Sequence, residues 1–271
     1  MGKSSGFQVK QSGAQLYELC WVPALMGKCA EDLVAEAGVK PGDRVLDVAC
    51  GTGIVARHAL KKALPGGSVV GSDINAPMLD AARSIASDLE LTNIEWHLGD
   101  ATELPFEDAS FDVVLCQQGL QFIPDKSGVL REMARVLRPG GRVAVSVWKE
   151  PSKFGVVLGE VLDRHFGEGV TAAWQVAYSL GDRDELRSLA TDNGFKDACV
   201  SLDMKMGRHA APQEFVKNAI AASPLAGDFE KADEGEQREI LREIIHGMKN
   251  CMDDGGLAIP ASCHTLTARK G

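Results

Sequence analysis

The chain has 271 residues, of which 45% are hydrophobic and 25% charged, with 29 basic against 38 acidic side chains and a formal net charge of −9. That apolar fraction excludes a disordered chain, and the acidic balance argues against a dedicated nucleic-acid or anionic-membrane binder, which needs a basic footprint. No apolar run approaches the roughly 20 residues needed to span a bilayer. The first ten residues are polar and lack the apolar stretch of a secretory signal. Gly2 invites a myristoylation reading, but Gly6 stands where that motif wants Ser or Thr. The seven cysteines include no C-x-x-C pair, so free thiols in a reducing cytoplasm are expected rather than a disulfide framework. The six histidines show no paired ligand spacing, and no protein metal site is expected.

Residues 12–38 carry apolar side chains at helical spacing (Leu16, Leu19 and Cys20, then Leu25, Cys29, Leu33 and Val34). Pro23 interrupts them, which predicts two helices with the second starting near Pro23. A turn over 39–43 leads into a short apolar run, 44–49, read as a buried strand. A glycine turn and a helix to about Leu64 follow, then a second strand over 68–72. Asn75 is placed to cap the next helix, with Pro77 in its first turn and Met78, Ala82, Ile85 and Leu89 on its apolar face. Strands are predicted at 94–98, 111–116 and 142–148, with a helix at 125–138 stopped by Pro139-Gly140-Gly141. Strands alternating with helices in this way imply a doubly wound parallel sheet.

After Pro151 the pattern changes. Residues 153–180 read as irregularly helical, 182–193 as a helix stopped by Gly194, and 195–206 as a strand with Val200, Leu202, Met204 and Met206 alternating. Helices are predicted at 212–222 and 234–251, the latter with Leu241, Ile244, Ile245 and Met248 on one face, and a last strand at 259–269. The acidic run from Asp228 to Glu239 reads as a solvated face.

The strongest chemical feature is Asp47-Val48-Ala49-Cys50-Gly51-Thr52-Gly53, which closes the first strand and opens a helix. Open α/β sheets bind ligands at the carboxyl ends of their strands. Asp73 ends the second strand, placed to accept both hydroxyls of a ribose; Asp100 and Ala101 follow the third, suited to an adenine edge; Gln117 and Gln118 end the fourth. Polar residues therefore stand at one sheet edge on successive strands. Gly51-Thr52-Gly53-Ile54-Val55-Ala56 also fits the dinucleotide pattern, with Asp73 at the usual distance. Asp47 separates the two readings, because its charge at the strand tip repels a pyrophosphate and attracts an ammonium or sulfonium. The expected cofactor is S-adenosylmethionine rather than NAD.

These segments, together with GSDINAPMLDAA, GDATELPFEDASFDVVLCQQGLQF and LREMARVLRPGGRVAVSVW, resemble the class I methyltransferases, specifically the branch related to ubiquinone/menaquinone-biosynthesis C-methyltransferases. The resemblance covers about residues 40–150. It implies an α/β, Rossmann-like, seven-stranded, mostly parallel sheet with helices on both faces and a helical cap. Residues 1–38 would form an N-terminal helical lid, 39–150 the cofactor-binding core, and 151–271 the last strands of the same sheet with an inserted substrate cap. It also implies that Asp47, Gly51 and Gly53 hold the methionine part, Asp73 the ribose, and Asp100 and Ala101 the adenine edge. Met78 would pack on adenine, the Gln117 carbonyl would meet the ammonium, and Ala49 and Ile74 complete the set. Ala49 departs from the family motif, which often has Gly there.

The reaction implied is methyl transfer to an oxygen, carbon or nitrogen atom of a small, partly apolar molecule by in-line displacement. Such a step asks mainly for alignment and exclusion of water, with a base only where the nucleophile must lose a proton. Tyr17, Gln118 and His165 are the candidates for a catalytic role, against the reading of Tyr17 as plain helix packing and of His165 as a satisfied helix histidine. Trp21, Gln118, Gln121, Phe122, Trp148, Trp174 and Tyr178 are the candidates for the acceptor pocket. The Asp/Asn-Pro-Pro-aromatic tetrad of amino-group DNA methylation is absent after the fourth strand. The expected partner is a small-molecule acceptor, with no nucleic acid and no integral membrane association, for a cytoplasmic monomer or homodimer. An NAD(P)-dependent oxidoreductase and a non-catalytic cofactor-binding partner protein are the alternatives.

Overall fold

The structure, a computed structural model, describes residues 11–271 except 168, 170 and 224, and leaves the side chains of 11 and 173 undescribed. The leader and myristoylation readings of the first ten residues lie outside the described residues.

The sheet core is built from β1 (Arg44–Val48), β2 (Ser68–Asp73), β3 (Ile94–Leu98), β4 (Phe111–Gln117) and β5 (Leu137–Trp148), all parallel. β1, β2 and β4 carry the adjacent buried apolar pairs Val45-Leu46, Val69-Val70 and Val113-Val114, as strands covered on both faces require. β6 (Phe195–His209), β7 (Met252–Asp253) and β8 (Gly256–Lys270) come from the second half of the chain. β8 pairs antiparallel to both β5 and β6. The strand order is β3-β2-β1-β4-β5-β8-β6, with the short β7 beside the start of β8. The expected seven-stranded, mostly parallel sheet is therefore present.

Helices α1 (Gln11–Trp21) and α2 (Gly27–Glu36) precede the sheet, and α3 (Ile54–Ala63), α4 (Ala76–Asp88) and α5 (Lys126–Val136) alternate with its strands. Leu33 and Val34 of α2 and Val55, Ala59 and Leu60 of α3 pack on one face of β1, β2 and β4. Leu130 and Met133 of α5 fill the other face with Leu186 and Ala190 of α8 (Arg183–Thr191). The remaining helices, α6 (Lys153–Phe166), α7 (Ala172–Gln175), α9 (Pro212–Ala221), α10 (Ala226–Lys231) and α11 (Glu234–Gly247), form the cap. Phe154, Leu158 and Leu162 of α6, Phe215 and Ile220 of α9 and Ile240 and Ile244 of α11 make a second apolar core. It reaches Cys20 and Ala24 of the N-terminal helical segment and Leu257 and Ile259 of β8.

Several expectations change. Pro23 does not break the N-terminal helix. Residues Val22–Met26 form a π-helical turn joining α1 to α2, in which the Gly27 N–H donates to the Val22 carbonyl. Pro23 lies at the start of this turn, where it has no N–H to donate. On α4, Asn75 caps Met78 N–H as expected, but Leu89 is 56% exposed, and the buried stripe is Met78, Leu79, Ala82 and Ala86. Leu202, Met204 and Met206 are exposed, because β6 is the sheet's edge strand and no helix covers that stretch. β5, β6 and β8 all extend beyond their predicted bounds. The acidic run is solvated, with ion pairs such as Lys231–Asp228 at 2.9 Å and Phe229 alone turned inward.

Leu115 lies in the middle of β4 and is fully buried. Leu115→Ala is expected to cost about 3 kcal/mol and lower Tm by roughly 10 °C. Leu202→Ala, on the exposed edge, should shift Tm by less than about 2 °C in the same thermal melts.

Candidate active site

The first strand delivers Asp47 to the sheet edge, 1% exposed. Its Oδ2 accepts the Ala56 N–H at 3.0 Å. Ala56 is the third residue of α3, whose N-cap is Gly53 and offers no side-chain oxygen. Asp47 therefore caps α3 from a distance, satisfying an otherwise unpaired amide at the positive end of the helix. Its other oxygen, Oδ1, is buried without a protein partner, on a residue that lines the cavity described below. Burial pushes the Asp47 carboxyl well above the usual carboxylate range, and the charge of Asp73 adds to that; the Ala56 amide and Arg57 work the other way.

The loop after β1 is held by the second strand. The Gly51 N–H donates to Asp73 Oδ2 at 2.7 Å, and the Asn75 N–H donates to Asp73 Oδ1 at 2.8 Å. Burial raises the Asp73 carboxyl while these amides lower it. Gly51 has φ +54°, and the space a Cβ would occupy there is open. Gly53 has φ +80°, and a Cβ there would stand 2.3 Å from the Trp96 ring. Gly53 is thus required by packing behind the loop.

Two non-glycine residues face the same region in the left-handed conformation, Ala49 at φ +54° and Gln118 at φ +53°. Each costs on the order of 1 kcal/mol. The Ala49 methyl is accommodated because residue 119 is glycine; a Cβ there would approach it to 2.6 Å. Gln117 donates from Nε2 to the Met26 carbonyl at 3.2 Å, tying β4 to the π-turn. Asp100 uses Oδ1 for the Thr102 N–H and hydroxyl, at 2.9 and 2.7 Å.

These strand tips open into one cavity of about 470 Å³. Of the residues assigned to the cofactor, Asp47, Ala49, Gly51, Asp73, Ile74, Met78, Asp100, Ala101 and Gln117 line it, and Gly53 does not. Of those assigned to the acceptor, Trp21, Gln118, Phe122, Trp148, Trp174 and Tyr178 line it, joined by Tyr17. Gln121 is fully buried outside the lining; its Nε2 donates to Gln118 Oε1 at 3.0 Å and its carbonyl accepts from Ser179. It supports Gln118 rather than facing a ligand. His165 lies away from the cavity, between Glu236 (3.5 Å) and Glu243 (3.2 Å) of α11, because its face of α6 packs outward on that helix. The satisfied-histidine reading is the one realised.

Some lining residues were not anticipated. His209 ends β6, its Nδ1 held near the Ala211 backbone at 3.1–3.2 Å and its ring 5.3 Å from Phe215. Ending the predicted strand at Met206 hid it; β6 runs parallel to β5, so its last residue reaches the ligand edge. Trp21 packs edge-on against Phe154 and Phe215 at 5.9 and 5.2 Å, giving the cap end of the cavity aromatic walls. Burial raises the phenols of Tyr17 and Tyr178, so both stay protonated and can donate hydrogen bonds near neutral pH. The charged groups at that end are paired, Arg208 with Asp253 at 2.7 Å and Glu150 with Lys149 at 3.0 Å. No helix among the described residues is long and apolar enough to cross a membrane.

Comparison with known proteins agrees with this architecture. Residues 45–141 match a methyltransferase domain family. The ubiquinone/menaquinone biosynthesis C-methyltransferase UbiE of Pseudomonas savastanoi pv. phaseolicola is 44% identical over 117 residues, 43% of this chain and 46% of that protein. The demethylmenaquinone methyltransferase of Bacillus cereus is 40% identical over 124 residues, 46% of this chain and 52% of that protein. The chain spans about half the length of these curated relatives. Among solved structures, the YcgJ protein of Bacillus subtilis superposes with a TM-score of 0.60 at 18% identity, covering 90% of this chain and 98% of that one. Phosphoethanolamine N-methyltransferase 2 of Haemonchus contortus, in complex with S-adenosyl-L-methionine, superposes with a TM-score of 0.61 at 21% identity, covering 96% of this chain and 57% of that one. The structural likenesses speak for the fold. Residues 45–141 thus match a methyltransferase domain, and the chain is similar over part of its length to ubiquinone/menaquinone C-methyltransferases.

Asp47→Asn keeps an oxygen for the Ala56 amide and removes the buried charge. The folded carboxyl titrates above its unfolded value of about 3.9, so the ligand-free wild type loses stability as pH climbs from there through the folded pKa. The Asn variant lacks that loss. Its Tm advantage is expected to grow from pH 4 towards pH 8, measured in parallel melts; a gap that shrinks with pH would contradict the burial argument.

Proposed function

We propose that the protein is an S-adenosylmethionine-dependent methyltransferase acting on an O, C or N atom of a small, uncharged, partly apolar molecule. The observation that carries this is a single cavity with two chemistries. Carboxylates at the tips of the first strands line one end, and aromatic side chains from the lid and cap line the other.

The residues fit the cofactor. The unpartnered Asp47 Oδ1 suits an ammonium, with the Gln117 carbonyl alongside. Asp73 keeps acceptor capacity for ribose hydroxyls, Gly51 leaves open space beside it, and Ile74 and Met78 offer apolar faces to adenine, whose edge Asp100 and Ala101 would read. S-Adenosylmethionine supplies a methyl group on a positively charged sulfur. The protein's own part is to align the acceptor and exclude water. Tyr17, Trp21 and Gln118 do this from the lid and the tip of β4, and Phe122, Trp148, Trp174 and Tyr178 enclose the acceptor. The paired state of the charges at the cap end favours an uncharged molecule. We place the enzyme in the cytoplasm as a monomer or homodimer without nucleic-acid partners, and read 11–36 as its lid and the helices after Pro151, except α8, as its substrate cap.

A nicotinamide dinucleotide fits less well, because Asp47 occupies the helix N-terminus where its pyrophosphate would lie. In thermal-shift assays, S-adenosylhomocysteine at 100 times its Kd should stabilise by about 2.7 kcal/mol, a rise of several degrees, while NAD and NADP leave Tm unchanged. Asp73→Ala should abolish that rise and keep a cooperative melt. A shift with NAD alone would replace this reading with the oxidoreductase.

A further inference from the structure

Glu18 is the only acidic residue of α1. Its Oε1 lies 2.6 Å from Arg57 Nη2, and its Oε2 accepts the Thr52 hydroxyl at 2.6 Å. Arg57 Nη1 in turn donates to the Thr52 carbonyl at 2.7 Å. The three residues form a closed ring. Thr52 is 1% exposed and Arg57, on α3, 6%. Thr52 sits between Gly51, which is tied to Asp73, and Gly53, which starts α3. A carboxylate on the lid helix is thus bonded to the loop assigned to the methionine part of the cofactor.

The same helix roofs the cavity. It packs against α4 on the ribose side and α9 on the cap side. Tyr17 and Trp21 are part of the cavity wall, and the Cys20 thiol rests 3.7 Å from the Phe215 carbonyl. With α1 seated, Asp47 and Thr52 are each 1% exposed while Ile74, at 47%, leaves the adenine side of the cavity open; α1 therefore covers the methionine end, and lifting it clears the path to that end. Lifting α1 must break the Glu18 ring, while the bonds within the loop and β2 can stay.

We infer that Glu18 is a positioning residue that latches α1 onto the cofactor loop through Thr52 and Arg57 and so sets the rate at which the cofactor and its product exchange. The inference rests on the cofactor reading above. A latch of this kind acts on the barrier to opening. Its removal speeds entry and exit together and alters affinity little, whereas a residue that only stabilises the bound state changes exit alone.

The test uses S-adenosylhomocysteine and stopped-flow exchange on the full chain. Glu18→Ala should raise both association and dissociation rate constants by about tenfold or more, with Kd within about threefold of wild type. Glu18→Gln, which can still accept from Thr52, should fall between. Unchanged rates, or a faster dissociation with unchanged association, would overturn the latch. Amide hydrogen exchange provides a reading without ligand. In the wild type, residues 11–21 should exchange together and faster than α3, and Glu18→Ala should accelerate α1 while leaving α3 as it was. Protection of α1 equal to that of α3, or no acceleration in the variant, overturns the inference even if the protein binds no S-adenosylhomocysteine, a result that would separately sink the cofactor reading.

Discussion

The bond from the Gly51 amide to the Asp73 carboxylate is the constraint on which the site depends. It joins the loop after β1 to the tip of β2 and fixes where the backbone of residues 51–53 runs. Along that path Gly53 takes a left-handed conformation against Trp96, α3 starts at Ile54, and Asp47 serves the Ala56 amide. The cost is two carboxylates in a region from which water is largely excluded, only partly offset by amide donors and by Arg57. A site poised in this way is completed by positive charge rather than by further anions.

The cavity is assembled by strand direction. β1, β2, β4, β5 and β6 all end at the same edge, and β8, running the other way, begins there. The carboxylate-bearing tips therefore sit at one end of the row, and His209 and Leu257 close the other. The N-terminal and cap helices lie across this row and supply the aromatic walls. Polar and apolar chemistry are separated along one sheet edge, with Gln117 and Gln118 at the boundary.

The parallel core is legible because its strands are short stretches rich in apolar residues bounded by Gly, Pro and capping residues, as at Asn75 and Asp125, which accept the Met78 and Gly128 amides. The positions of Asp47, Asp73, Asp100 and Gln117 followed from strand ends alone. What periodicity could not show was long-range. Nothing local to Pro23 distinguishes a helix break from a π-turn; the neighbours of the turn decide it. His165 and His209 look alike in sequence, yet one faces Glu236 and Glu243 and the other the cavity. Glu18 is 34 residues from Thr52 and 39 from Arg57, and no pattern links them until the lid is in place. Gln121 lies with Gln118 and Phe122 in the loop beyond the fourth strand, which makes it a pocket candidate in sequence, but its turn buries it beneath Gln118.

The position of β8 has a consequence for how the protein is made. β6 pairs with β8 alone among the strands, and β8 is inserted between β5 and β6 although it follows both in the chain. A ribosome releases the half that bears Asp47 and Asp73 early, and its five parallel strands can pair as they emerge. β6 then waits, its backbone ladder unpaired, until the cap helices and β8 have been synthesised. The aromatic end of the cavity is thus finished last, and during that interval the nascent chain offers an unpaired strand edge of the kind that chaperones shield.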